Sequence, residues 1–402
     1  MLSDYFTGVV VKRLSMVETA PRGKGSNQHE FNSSKALKEL LGNADRKEIP
    51  VRFIWLGEEQ EGVAEDGIIS WYDSRKAHPK RSEFRLYYQG NAVTELMRKD
   101  DAFFLAMRTD NTGLAIIAPA SSTVENQLLY LFGLDEELQE DFFYKPVAGN
   151  EDMRMDFAAR YILDELGVEF EEPESVLLDE LVAPFGLKFP KTQPFSELAR
   201  KSLPQVDPRD NPDAALMAWI EREEMMFRRL ERKIVSERLK EGFIAKNKAD
   251  VDGFIDFSLS VQNRRKSRVG QSLEHHLKAL FTACKVRFSH GAVTEAGNKP
   301  DFLFPGIAEY HDSDFDRAKL TMLGAKSTLK DRWRQVLPEA DKIQTKHVLT
   351  LQPSISTKQT TQMEGVGVRL VIPLAIHASY KPTQQSWLMN VTEFVKLVAS
   401  RQ

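Results

Sequence analysis

The sequence predicts two domains of different class, a mainly β domain followed by an α/β domain. A chain of 402 residues, 42% of them apolar, is too long for one ordinary core and can bury two. Up to about residue 145, short β-rich runs alternate with polar turns, which favours a barrel or sandwich. Beyond about residue 150, helical patterns alternate with short apolar runs, as is typical of α/β proteins. We expect domains over 1–150 and 185–402, joined by a helical, acidic linker over 151–184.

Each domain can be divided into elements. The strands expected in the first are GVVVKRL, VRFIWLG, GIISWYD, EFRLYY, AFFLAMR and GLAIIAP. The second begins with long helical patterns over 214–242 and 271–284. Its strands are then expected at DFLFP, TMLGAK, HVLTLQ and VRLVIP, with a charged helix at STLKDRWRQ and a final helix at VTEFVKLVAS.

Charge and composition limit the function classes. A formal charge of −4 excludes a generally cationic nucleic-acid coat, so any DNA site must be a local basic surface. The single cysteine, Cys284, lies in an apolar-periodic stretch and is expected to be buried. The N-terminus carries an acid where a signal peptide has a basic start, and no apolar run approaches the ~20 residues that span a bilayer. We expect a cytoplasmic protein without a membrane partner.

An acid and a lysine at neighbouring strand ends give the clearest chemical signal. Asp301 opens the apolar run that Pro305 closes, and Lys326 ends the next predicted strand. Such a pair can hold a divalent cation and a water against a phosphodiester, which indicates a nuclease. A second Pro-Asp pair, at Asp213, opens a long helical pattern and is explained as a helix start.

One position departs from the usual pattern of such nuclease sites. Two residues before the lysine, where a second carboxylate is usual, the sequence has Gly324. A carboxylate must then come from elsewhere, and Glu339 could project back from the following helix. Because Pro338 interrupts that helix, Asp341 is an alternative.

Three stretches, 263–281, 298–315 and 325–343, resemble the EcoRII family of type II restriction endonucleases. The resemblance implies a PD-(D/E)XK nuclease fold, with a central mixed sheet flanked by helices, that cleaves double-stranded DNA with Mg²⁺. It implies that Asp301 and Glu339 ligate the Mg²⁺ while Lys326 orients the attacking water. Glu274, near the start of a predicted helix, resembles the family's additional active-site acid, although the helix dipole alone would also favour a glutamate there.

A charged triplet follows the lysine. An arginine can bond guanine O6 and N7 while a carboxylate accepts from cytosine N4, so Lys330, Asp331 and Arg332 could read adjacent G·C pairs. The family resemblance implies a CC(N/W)GG-like site, whereas a charged helix surface is the alternative. The neighbouring Trp333 is expected in the core. The family's pocket for a flipped central base has no clear counterpart in 218–233, which leaves the central base open.

Basic stretches with interleaved aromatic residues mark the first domain, at 12–15, 24–32 and 71–91. They resemble the family's N-terminal effector-binding domain, a pseudobarrel like the plant B3 domain. The resemblance implies a set of DNA contacts, with Gln28 and His29 beside them: Lys12, Asn27, Arg81, Glu83 and Arg85. A solvated basic turn is the alternative.

The sequence thus predicts a homodimeric, Mg²⁺-dependent restriction endonuclease of type IIE whose first domain binds a second copy of the site and relieves autoinhibition. Such an enzyme implies a cytosine methyltransferase as genetic partner. Two alternatives stay open, a DNA-binding protein with a degenerate nuclease domain and a nuclease specific for modified DNA.

Overall fold

The chain divides into two compact units. The computed structural model describes residues 1–19, 29–57, 62–78, 80–134, 138–147, 155–170, 175–245, 248–329 and 332–402. The first unit comprises Met1–Val168 with Pro353–Thr360, and the second comprises Glu169–Gln352 with Thr361–Gln402.

The domain boundary expected at 185 therefore lies at 169. The acidic stretch taken for a linker contains a helix, Ser175–Val182. Its residues Leu178 and Val182 are buried in a cluster with Phe195 and Met226 of the second unit. Burial of this apolar stripe outweighs the acidic composition that suggested a linker.

The first unit is mainly β, as expected. Its elements are β1 (Phe6–Arg13), β2 (Glu30–Asn32), α1 (Lys35–Leu41), β3 (Arg46–Trp55), β4 (Val63–Asp73), β5 (Phe84–Tyr88), β6 (Ala102–Arg108), β7 (Gly113–Ala118), α2 (Thr123–Leu131), β8 (Phe143–Pro146) and α3 (Phe157–Glu165). All six predicted strands are present.

The strands of the first unit form one eight-stranded sheet in the order β2-β5-β4-β3-β7-β6-β1-β8. Neighbouring strands are antiparallel except β3 and β7, which are parallel. Phe31 on β2 packs against Phe142, beside β8, with ring centroids 5.4 Å apart. The two edge strands thus contribute to one core, and the sheet is curled.

The second unit is α/β, as expected. Its elements are α4 (Ser175–Val182), α5 (Thr192–Lys201), α6 (Pro212–Glu241), β9 (Ile244–Ala245), β10 (Lys248–Ala249), α7 (Val251–Ala283), β11 (Ser289–His290), β12 (Phe302–Phe304), α8 (Ile307–His311), β13 (Thr321–Ala325), β14 (Lys346–Leu349), α9 (Thr357–Gly365), β15 (Val368–Val371), α10 (Leu374–His377), α11 (Pro382–Gln385) and α12 (Val391–Ser400). The first four residues of α9 belong to the first unit.

A five-stranded mixed sheet, β11-β12-β13-β14-β15, forms the centre of the second unit. The first three strands pair antiparallel, and β13, β14 and β15 pair parallel. Phe281 of α7 packs edge-on against Phe302 and Phe304 of β12, and Phe304 also contacts Phe394 of α12. These rings fix the start of β12, where Asp301 lies.

Asp213 is in the first turn of α6, which confirms its assignment to a helix start. Its carboxylate also connects distant parts of the second unit. It is buried and accepts hydrogen bonds from the backbone of Leu374, Val391 and Thr392, at 2.8 to 3.0 Å, and from the Thr392 hydroxyl. One side chain therefore joins the starts of α6, α10 and α12.

Three local predictions are wrong. α7 begins at Val251, about 20 residues before the predicted start, so Glu274 lies in its interior. The charged segment expected as a helix contains a 3-10 helix, Arg332–Val336, and Glu339 follows in a turn. Cys284, which ends α7, is half-buried rather than buried, and its pKa is raised by desolvation. Across the described part of the chain, no helix combines the length and apolarity needed to cross a membrane.

Candidate active site

Asp301 and Lys326 meet at adjacent strand ends, as the sequence predicted. The Asp301 Oδ2 atom accepts from the Lys326 ammonium at 2.9 Å and from the Ala325 amide at 2.7 Å. The two side chains are 18% and 20% exposed, so both can be reached by a substrate. The antiparallel register of β12 and β13 pairs Phe302 with Leu323, which sets Asp301 beside the end of β13.

Gly324 lies on the same face as Lys326, because side chains alternate along a strand. A Cβ atom at this glycine would lie 3.9 Å from Asp301 Oδ2 and only 2.9 Å from the Cγ1 atom of Val336. Val336 is fully buried and occupies the space that a side chain would need. The strand therefore has no room for a carboxylate here.

Glu339 provides a carboxylate from outside the strand. Desolvation raises the pKa of Glu339 to about 7, the charge of Lys326 lowers it and the charge of Asp301 raises it. The charges of Asp301 and Lys326 therefore both act on the carboxyl group of Glu339. Its Oε2 atom is buried and has no hydrogen-bond partner among the described residues.

Asp341, the alternative acid, is exposed. Its backbone N–H donates to Glu295 Oε2 at 3.3 Å. Of the two acids, Glu339 is therefore the one whose carboxyl group interacts with Asp301 and Lys326.

Glu274 forms a separate pair. Its Oε2 atom lies 2.9 Å from Nε2 of His290, and both side chains are about 30% exposed. His290 on β11 pairs with Phe302, the residue after Asp301. Among the residues that the structure describes, Glu274 makes no hydrogen bond with Asp301, Lys326 or Glu339. Its interior position in α7 excludes the helix dipole as the explanation for this glutamate, and no sequence pattern indicated that His290 would be its partner.

The arrangement fits a hard divalent cation. Carboxylate oxygens are the ligands such cations prefer, and the buried Oε2 of Glu339 lacks the partner that a cation would provide. Asp301 and Glu339 would hold the ion. No group of three His, Cys, Asp or Glu side chains in the described parts of the chain is arranged as a complete ligand set. Water, backbone carbonyls or substrate would complete the coordination.

Of the predicted base-reading triplet, Lys330 and Asp331 lie outside the described residues. Arg332 is exposed at the start of the 3-10 helix after β13. Trp333 is buried, as expected, and the Arg334 guanidinium lies 4.7 Å from its ring centroid.

The predicted DNA contacts of the first unit have different environments. Lys12 is 6% exposed, forms an ion pair with Glu18 and lies near the Phe31 and Phe142 rings, so its ammonium points into the unit. Arg81 and His29 are exposed.

Arg85 and Glu83 are ion-paired with each other at 3.1 Å, and Arg85 also bonds Glu30 at 2.7 Å. Asn27 and Gln28 are not among the described residues.

Comparison with known proteins supports the family resemblance. The family described as "EcoRII C terminal" matches residues 227–395. The type II restriction enzyme EcoRII of Escherichia coli is 43% identical over 186 residues, which are 46% of this chain and 45% of that protein. The match thus spans about half the length of the curated relative.

Two solved structures are similar to part of the chain. A complex of restriction endonuclease PspGI with substrate DNA has a TM-score of 0.44 and 15% identity, covering 53% of this chain and 93% of that one. Metal-depleted Ecl18kI with uncleaved, modified DNA has a TM-score of 0.41 and 19% identity, covering 60% and 82%. Because both TM-scores are below 0.5, these two likenesses are partial. The sequence matches are more specific: residues 227–395 of this chain match the EcoRII C-terminal family, which confirms the resemblance predicted from the sequence.

Proposed function

We propose that this chain is a type II restriction endonuclease that cleaves double-stranded DNA with Mg²⁺. The observation that carries the proposal is the hydrogen-bonded pair of Asp301 and Lys326, whose charges act on the Glu339 carboxyl group, within a segment that matches the EcoRII C-terminal family. The named relative in that comparison is itself a type II restriction enzyme.

The residues take separate roles in this reaction. Asp301 and Glu339 would hold the cation, which when bound would supply positive charge at the scissile phosphate and lower the pKa of a water. Lys326, kept in place by Asp301 Oδ2, donates to the nucleophilic water or to a phosphate oxygen as negative charge develops. Glu339, whose pKa is raised to about 7, would be held in its ionised form by the positive charge of a bound cation. Glu274, paired with His290 on the strand next to β12, would be the additional acid of the site.

Sequence selection is assigned to the segment after β13. Arg332, exposed at the start of the 3-10 helix after β13, would bond guanine, and Lys330 with Asp331 would complete the reading of two G·C pairs. A homodimer that presents the segment twice would select a CC(N/W)GG-like site and cut both strands. A cytosine methyltransferase would protect the host's own sites.

The first unit is assigned to effector DNA. Its curled sheet supports a B3-like pseudobarrel, and Arg81 and His29 are exposed for contact. Arg85 and Glu83 would exchange their mutual ion pair for DNA contacts, and Lys12 would contribute only after leaving Glu18. A fragment starting at residue 169 should cut single-site DNA better than the full chain, since the regulatory unit is then absent. Equal or lower activity would contradict autoinhibition.

The central test compares Asp301→Asn, Lys326→Met and Glu339→Gln with the control Asp341→Asn, an exposed acid two residues from Glu339. Plasmid cleavage in Mg²⁺ should be lost in the first three and kept in the control, while sequence-specific binding in Ca²⁺ is kept in all four. Cutting by Asp301→Asn or Lys326→Met would overturn the proposal. If the unaltered protein binds specifically without cutting, a DNA-binding protein with a degenerate nuclease domain is favoured. If it cuts only methylated DNA, a nuclease specific for modified DNA is favoured.

A further inference from the structure

The turn that carries Glu339 lacks the support of regular structure. The 3-10 helix ends at Val336, and Pro338 cannot donate a backbone hydrogen bond. Ala340 has a φ of 50°, a conformation that a residue with a Cβ rarely adopts. A carboxylate on such a turn can be aimed only if other groups hold the turn in place.

Lys346 is placed to do this. It is the first residue of β14 and is only 6% exposed. Its ammonium donates to the backbone carbonyl of Glu339 and, at 2.8 Å, to that of Ala340. A buried ammonium is costly unless it is hydrogen-bonded, so these carbonyls and the lysine stabilise one another.

The same lysine ties the turn to the strand that carries Lys326. β14 pairs parallel with β13, and Lys346 lies opposite Met322, four residues before the catalytic lysine. Asn298, three residues before Asp301, donates from its side chain to the Pro338 carbonyl at 2.8 Å. The turn is thus bonded to both chain segments that lead to the acid–lysine pair.

We infer that Lys346 is a positioning residue for the reaction, because its ammonium fixes the turn from which Glu339 reaches the cation. The inference rests on the proposed function. A carboxylate at position 324 would be held by the strand itself, but Val336 fills that space. An acid supplied by a turn needs an anchor, and Lys346 is that anchor.

The test compares Lys346→Met, Lys346→Arg and the control Lys396→Met, which alters an exposed lysine on α12. Mn²⁺ binding is measured from the loss of the free-ion electron paramagnetic resonance signal, and cutting is measured against Mg²⁺ concentration. Lys346→Met should weaken Mn²⁺ binding and raise the half-saturating Mg²⁺ concentration by about tenfold or more, as is common when a residue that supports a ligand is lost. At saturating Mg²⁺ the cleavage rate of Lys346→Met should recover most of the way to that of the unaltered protein. Lys346→Arg should restore most of the affinity.

The outcomes separate the two proposals. If the unaltered protein binds no Mn²⁺, the cation site of the proposed function fails, and this inference fails with it. If the unaltered protein binds Mn²⁺ and Lys346→Met binds it equally well, only the inference is overturned. Should the methionine variant fail to fold, Lys346→Gln decides, because its shorter amide cannot satisfy both carbonyls. Weaker Mn²⁺ binding by that variant supports the inference, and unchanged binding overturns it.

Discussion

The close packing of Val336 against Gly324 predicts a coupling free energy between substitutions at these two positions, and a double-mutant cycle can measure it. Gly324→Ala introduces a Cβ atom 2.9 Å from Val336 Cγ1, well inside van der Waals contact. Overpacking of this kind costs about 1–3 kcal/mol, offset by the ~0.5–1 kcal/mol that alanine gains over glycine in a strand. Val336→Ala removes two buried carbons, at about 0.8 kcal/mol each, and leaves a cavity, for a total near 2–3 kcal/mol.

The double variant should be more stable than the sum of the single variants implies. The new methyl group at position 324 then fills part of the space vacated at position 336. We expect a favourable coupling of about 1–2 kcal/mol. Native-state hydrogen exchange at the amides of β13 and β14 is the suitable assay, because it reports the opening of the second unit without the first. Additivity within about 0.5 kcal/mol would refute the view that Val336 excludes a side chain at position 324.

Three further predictions concern the same unit. Gly324→Asp combined with Val336→Ala should restore part of the Mg²⁺-dependent cutting lost in Glu339→Gln, and no recovery would show that space alone does not explain the displaced acid. Burial lowers the pKa of His347 to about 4, below its ordinary 6.5, so the unfolded chain binds more protons between these values. Stability should be full above pH 6.5 and fall by about 3 kcal/mol toward pH 4, and His347→Gln should flatten that slope in urea unfolding. Arg332→Ala should cost about 1–3 kcal/mol in discrimination per half-site, measured by selection from random DNA in Ca²⁺, while non-specific binding changes little.

The sequence predicted those features that are encoded locally. Asp301 and Lys326 could be found because each adjoins a short apolar strand, and strand neighbours in the chain tend to pair. The six strands of the first unit were visible for the same reason, since period-two patterns and turn residues lie within a few positions of each other.

Features that depend on distant contacts could not be read in the same way. The interactions of Lys346 with the turn and of His290 with Glu274 arise only when separate elements pack together. Lys12 belongs to a basic stretch, yet β1 lies between β6 and β8 and buries it. The early start of α7 was missed although its first turns carry apolar residues, and those residues are exposed rather than packed in a core: Val251, Phe254, Ile255 and Leu259.

The buried carboxylate of Asp213 has a consequence for how the protein is made. Its acceptors are filled by groups up to 179 positions later in the chain, at the start of α12. Phe394 of that helix packs on Phe304 of β12, and Arg401 donates to Thr321 at the beginning of β13. During translation the strands that present Asp301 and Lys326 therefore stay without their supporting helix until α12 has left the ribosome. A nascent chain cannot complete this unit early, so the segments that carry Asp301 and Lys326 gain their last supporting contacts only after Arg401 has been synthesised.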